Sequence, residues 1–216
     1  MNPDSIPSGD AVGSPESSQS IDHSSPSNGL EANETPEVGS GDLIDSTVKD
    51  AARGLEPDRL PTFVSRQVEK GKRFYLNLRP NPDDKLVVVC GGYEQVEPDY
   101  EINREELPYY AIELVAGGRG QAIINGRPYD IEAGSVYAYG PQVRHVIKTD
   151  PDQPLQKYFI DFFGTDGLPL LTKANLEAWA PRRVGGLHEL TGIMEMIIRE
   201  STSHRGGVHE ICELLL

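Results

Sequence analysis

The chain has 216 residues, a formal charge of −14 and a hydrophobic content of 37%. That length allows one domain with appendages, and so low a hydrophobic share points to a stretch that does not fold. The acidic balance excludes a concentrated basic, nucleic-acid-reading face within these residues. No apolar run approaches the roughly 18 residues a membrane span needs.

Residues 1–57 are rich in Ser, Pro, Gly, Asp and Glu and contain no aromatic residue. The first 60 residues set 12 acidic side chains against Lys49, Arg53 and Arg59, which is −9 of the total and leaves −5 for the rest. Such a segment buries too little apolar surface to offset its ordering entropy, so it reads as a disordered leader. It starts without the basic and apolar regions of a secretory signal, and a cytoplasmic protein is expected.

Residues 58–165 read as a small β-barrel. Candidate strands are Arg73–Leu78 and Lys85–Cys90, parted by the turn cluster Arg79–Asp84, with Gly91-Gly92 breaking the second run. Tyr109–Val115 follows, then a glycine-rich corner at Gly117–Gly120. Gln121–Ile131 is the clearest hairpin, because Asn125-Gly126 supplies the positive φ angles of a type I′ turn. Val136–Tyr139, the Gly140-Pro141 corner, His145–Ile147 and Gln156–Phe163 complete the set. Short strands at this spacing predict a mainly β barrel or sandwich. Cys90 and Cys212 are too few for a disulfide framework and read as buried thiols.

Beyond Gly164 the period becomes helical. Leu187, Leu190, Met194, Ile197 and Ile198 share one face, and Val208, Ile211, Cys212 and Leu215 share another. Residues 166–216 are therefore expected to hold two helices, packed on the barrel or pairing two copies of the chain. The second pattern runs to Leu216 without a cap, so the expected organisation is a longer protein cut before a further domain.

Chemistry is sparse. Neither a nucleophile elbow nor a phosphate-cradling loop is present. Gly134 and His145, with Gly140-Pro141 between them, have the spacing of the second cupin motif. The first motif offers Glu113 in one register but no histidines, so four metal ligands cannot be assembled. No metal, no cofactor and no catalytic residue is expected.

The run Asp99–Gln121, the run Asn125–His145 and the closing strand Lys157–Gly164 together resemble the N-terminal sensor domain of AraC/XylS-type transcriptional regulators. The resemblance implies a cupin-like, double-stranded β-helix barrel followed by two C-terminal helices. It also implies a small-molecule effector, here a monosaccharide, a homodimer formed through the helices, and DNA binding by a helix-turn-helix part beyond Leu216. Carried over by position, Arg104 grips ligand hydroxyls, Lys157 and Phe159 line the pocket from the closing strand, and Tyr93 approaches from the loop after the glycine pair. His145 reads either as a ligand contact or as a corner histidine bonding its own loop. Arg104, beside Glu105 and Glu106, has a surface ion pair as its plainer reading. The alternative to a sensor is a stand-alone cupin enzyme, of sugar isomerase or dioxygenase type, with an atypical metal site.

Overall fold

The computed structural model describes residues 61–203 and 206–216, so the expected leader lies outside the described residues. In chain order the strands are β1 (Val68–Tyr75), β2 (Val87–Val96), β3 (Glu101–Arg104), β4 (Tyr110–Gly117), β5 (Arg119–Ile124), β6 (Arg127–Glu132), β7 (Ser135–Tyr139), β8 (His145–Thr149) and β9 (Gln156–Phe163). Then come helix α1 (Gly167–Lys173), the short β10 (Arg182–Arg183), α2 (Leu187–Ser201) and α3 (Val208–Leu215).

All pairing is antiparallel and falls into two sheets, β1-β2-β9-β4-β7-β10 and β3-β8-β5-β6. The sheets face each other across one core that includes Val89, Tyr100, Leu107, Ile124, Tyr137 and Ile147. The outer face of the larger sheet carries a second core, where Phe74, Leu114, Ile160 and Phe162 meet Leu171, Ile197, Ile198 and Cys212 of the helices. The cupin-like barrel with C-terminal helices expected from the sequence is the observed architecture.

Several local expectations hold. Asn125 and Gly126 take φ of 50° and 77° in the β5–β6 hairpin, as a type I′ turn requires. Both cysteines are buried free thiols. The helical stripes of α2 and α3 pack on the barrel, apart from Ile211, which is exposed.

Two expectations need correction, and one strand was not anticipated. Gly91-Gly92 does not end the second strand, since β2 runs through it to Val96. The pair marks crowding instead: a Cβ on Gly91 would stand 2.7 Å from the Phe159 carbonyl oxygen, and one on Gly92 would stand 2.2 Å from that of Lys72. Glycine inside a strand here serves close backbone approach. The two C-terminal helices are preceded by a third, α1, whose seven residues are too few to establish a period. Finally, Glu101–Arg104 forms a strand, paired with β8 so that Arg104 lies opposite His145.

Candidate ligand-binding site

The open end of the core between the sheets forms a cavity of about 330 Å³ counted out to its mouth. Its enclosed part has only water-sized space. Strand alternation decides what reaches it. On β9, Lys157, Phe159 and Asp161 point inward, whereas Tyr158, Ile160 and Phe162 point to the helices. Glu94 of β2, Glu113 of β4, Tyr139 of β7, and Ile102 and Arg104 of β3 add further walls, with Tyr100 beside them.

The segment before β1 closes one side. Phe63, Val64 and Ser65 line the cavity, and two arginines hold their backbone. Arg104 Nη2 donates to the Phe63 carbonyl, and Arg73 Nη2 donates to that of Ser65 at 2.7 Å. Phe63 also packs edge-on against Tyr109, with ring centroids 5.6 Å apart.

A buried ion network forms the floor. The Lys157 ammonium lies 2.9 Å from Glu113 Oε2 and 3.4 Å from Glu94 Oε2, and 5.5 Å from the ring centroids of both Tyr100 and Phe159. Arg73 completes the chain, with Nη2 2.7 Å from Glu94 Oε1. Glu113 also accepts from Tyr137 Oη at 2.7 Å and Tyr139 Oη at 2.5 Å. Burial pushes its carboxyl up, but Lys157 and the two hydroxyls outweigh that and hold it below the ordinary range. Burial alone would lower the Lys157 ammonium, yet Glu113, Tyr100 and Glu94 hold it above its usual value. The pair is therefore ionised, and burial raises Tyr100 to about 12.

Asp161 differs from the other acids of the cavity. Its side chain is 5% exposed, and its hydrogen-bond donor among the described residues is the Cys90 thiol, with Sγ 3.3 Å from Oδ2. No cation lies within 4 Å of it among the described residues, and burial lifts it to about 7. Its cross-strand neighbours are the small residues Cys90 and Ala111.

Of the residues singled out in the sequence, Arg104, Lys157 and Phe159 meet at this cavity. Tyr93 does not, because it lies on the outer face of β2, its ring 5.0 Å from that of Tyr158 and its hydroxyl 3.3 Å from Gln156 Oε1. His145 is fully buried behind the wall. Its ring stacks on Tyr139 at 3.8 Å and its Nδ1 lies 3.0 Å from the Val143 carbonyl oxygen. That is the geometry of a corner histidine, and burial lowers its pKa. Arg104 makes no ion pair with Glu105, which pairs with Arg144 instead at 3.2 Å. Glu94, in the segment Gly91–Glu94 that the resemblance implies approaches the ligand, does line the cavity, whereas the sequence reading missed Asp161, Ile102 and the Phe63–Ser65 segment.

A metal does not fit the two candidate cupin ligands. Three donors, one of them an ammonium, already occupy both oxygens of Glu113, so a lysine stands where a cation would be required. No cluster of three or more metal-ligating side chains occurs among the described residues. No helix among them is long and apolar enough to cross a membrane.

Comparison with known proteins gives one family match and several remote structural likenesses. The family model of AraC-like ligand binding domains matches residues 88–213. Among solved structures, the chain resembles a protein from Photorhabdus luminescens at 17% identity and TM-score 0.36, covering 57% of this chain and 96% of that one. It also resembles a cupin 2 conserved barrel domain protein from Salinispora arenicola at 19% identity and TM-score 0.35, covering 56% and 98%. A third likeness is the cupin domain of an XRE family transcriptional regulator from Enterobacter cloacae, at 10% identity and TM-score 0.31, covering 36% and 80%. No curated protein matches the chain.

Proposed function

We propose, from the premise that this chain belongs to the family of AraC-like ligand binding domains, that it senses a small polar effector for a transcriptional regulator. The observation that carries this reading is the cavity itself. It is concave, sits at the mouth of a rigid barrel, and combines aromatic faces with convergent polar groups, which is the make-up of a small-molecule site. A monosaccharide or related polyol suits it best. Phe159 and Tyr100 offer ring faces, and Arg104 has donors beyond the one given to Phe63. The enclosed space is too small for a sugar as it stands, so binding requires the Phe63–Ser65 segment to move away from Arg104. A ligand shifts such an equilibrium only by its differential affinity for the two positions.

Binding without turnover is the favoured reading because the carboxylates of the floor are engaged by cations and hydroxyls rather than left to a substrate or metal. In this proposal the protein acts in the cytoplasm as a homodimer. The exposed Ile193 and Met196 of α2 and Ile211 and Leu214 of α3 supply the contact. DNA recognition would belong to a helix-turn-helix part outside these residues.

The test is the thermal unfolding midpoint against a panel of pentoses, hexoses and alditols. A ligand at 100 times its dissociation constant adds about 2.7 kcal/mol, a shift of several degrees. A rise selective for one sugar and lost in Arg104→Ala is the expected result. A stoichiometric metal in the purified protein together with sugar turnover would favour the enzyme reading instead.

A further inference from the structure

The cavity and its floor hold three cations and three carboxylates, but not all of them are paired, and the unpaired groups bear on what the effector carries. Lys157 and Arg73 neutralise Glu113 and Glu94 through contacts of 2.7 to 3.4 Å. That leaves Arg104 and Asp161 without an ionic partner within 4 Å among the described residues. The two are not equivalent. Arg104 is only partly buried, lies at the mouth, and donates to the Phe63 carbonyl, so solvent and that carbonyl compensate its charge. Asp161 is 95% removed from solvent and faces the cavity from the middle of β9. A weak thiol donor is its one hydrogen bond among the described residues. An ionised carboxylate in that position is costly unless a cation meets it.

Resting on the sensing reading above, we infer that the effector is an aminated polyol, an amino sugar or amino alditol, whose ammonium group pairs with Asp161 while its hydroxyl oxygens accept from Arg104.

The groups that face Asp161 set its titration. They are Cys90 from β2, Arg104 from β3, Glu113 from β4, with Tyr109 just before that strand, Tyr139 from β7, and Lys157 on β9 itself. Burial dominates and holds the carboxyl near 7, so in the free protein it takes up a proton at mildly acidic pH. An ammonium ligand must displace that proton. Its affinity therefore falls as pH drops below 7, by up to about tenfold per unit, while the affinity of an uncharged polyol stays flat.

The experiment is calorimetric titration of the native chain and of Asp161→Asn with 2-amino-2-deoxyhexoses and 1-amino-1-deoxyalditols, each against its parent hexose or alditol. The alditol pair is repeated from pH 5.5 to 8. The expected result is an amine that binds about tenfold or more tighter than its parent at pH 7.5, since hydrogen bonds to charged groups are worth about 1.5–3 kcal/mol. Asp161→Asn loses both that preference and the pH slope. The amide is isosteric, and unfolding of the variant verifies that it folds. A parent that binds as tightly as its amine overturns this inference and leaves the sensing reading intact. An amine preference that survives in Asp161→Asn overturns the assignment to that residue. Failure of every probe, amine and parent alike, overturns both.

Discussion

The two faces of β9 divide the work of this molecule. Its outward residues, Tyr158, Ile160 and Phe162, join an apolar core under the helices, where stability comes from area removed from water. Its inward residues, Lys157, Phe159 and Asp161, carry two charges into a cavity at comparable burial. An apolar face tolerates any well-packed neighbour, but a charged face demands named partners at stated distances. The contrast is between an outer face that is apolar throughout and an inner face that carries paired and unpaired charges to the proposed site.

The comparison breaks most visibly at Lys157. Lys157→Met leaves Glu113 and Glu94 without their shared ammonium, and loss of one member of a buried pair costs about 3–5 kcal/mol. Urea unfolding at pH 7 should show that loss, and lowering the pH should recover part of it as Glu113 takes up a proton. On the outer face Phe162→Ala should cost a similar amount, about 3–5 kcal/mol through cavity formation. Its loss should not depend on pH, which separates the two mechanisms.

Asp161 sharpens the contrast through linkage. Its folded pKa lies above its unfolded value, the reverse of the usual carboxylate, so the folded state binds the extra proton. Its contribution to stability is present below about pH 4 and is lost as pH rises toward 7. Asp161→Asn should therefore melt higher than the native chain at pH 8, with the gap closing near pH 4. Tyr139→Phe, which removes one of three donors to Glu113, should cost roughly 1–3 kcal/mol. The smallest effect belongs to Leu214→Ser, whose side chain is 86% exposed. Its monomer stability should stay within about 0.5 kcal/mol, and sedimentation would report any change in association.

Much of this was legible in the sequence, for identifiable reasons. The Asn125-Gly126 hairpin and the helical stripes are local signals, and both stand where the pattern puts them except for Ile211, which faces outward. Arg104, Lys157 and Phe159 came from family resemblance and do face one cavity. Alternation along Gln156–Phe163 already placed Asp161 on the same face as Lys157, so that signal was available and unused. Glu94 and Tyr93 were harder to place. Reading Gly91-Gly92 as a break turned a continuous strand into a loop and hid which face each residue takes. A bulge between Val88 and Cys90 also shifts the alternation. The Phe63–Ser65 segment had no periodic signal at all, because long-range bonds from Arg73 and Arg104 hold it.

In the proposed reading the inner face binds the effector and the outer face does not. Calorimetric titration of the sugar or amino sugar selected by the thermal panel, into Arg104→Ala and Tyr93→Phe side by side, tests it most directly. Arg104→Ala is expected to abolish binding, while Tyr93→Phe, altered on the outer face, keeps native affinity. Retained binding in Arg104→Ala with loss in Tyr93→Phe would contradict it and move the site to the sheet's other side.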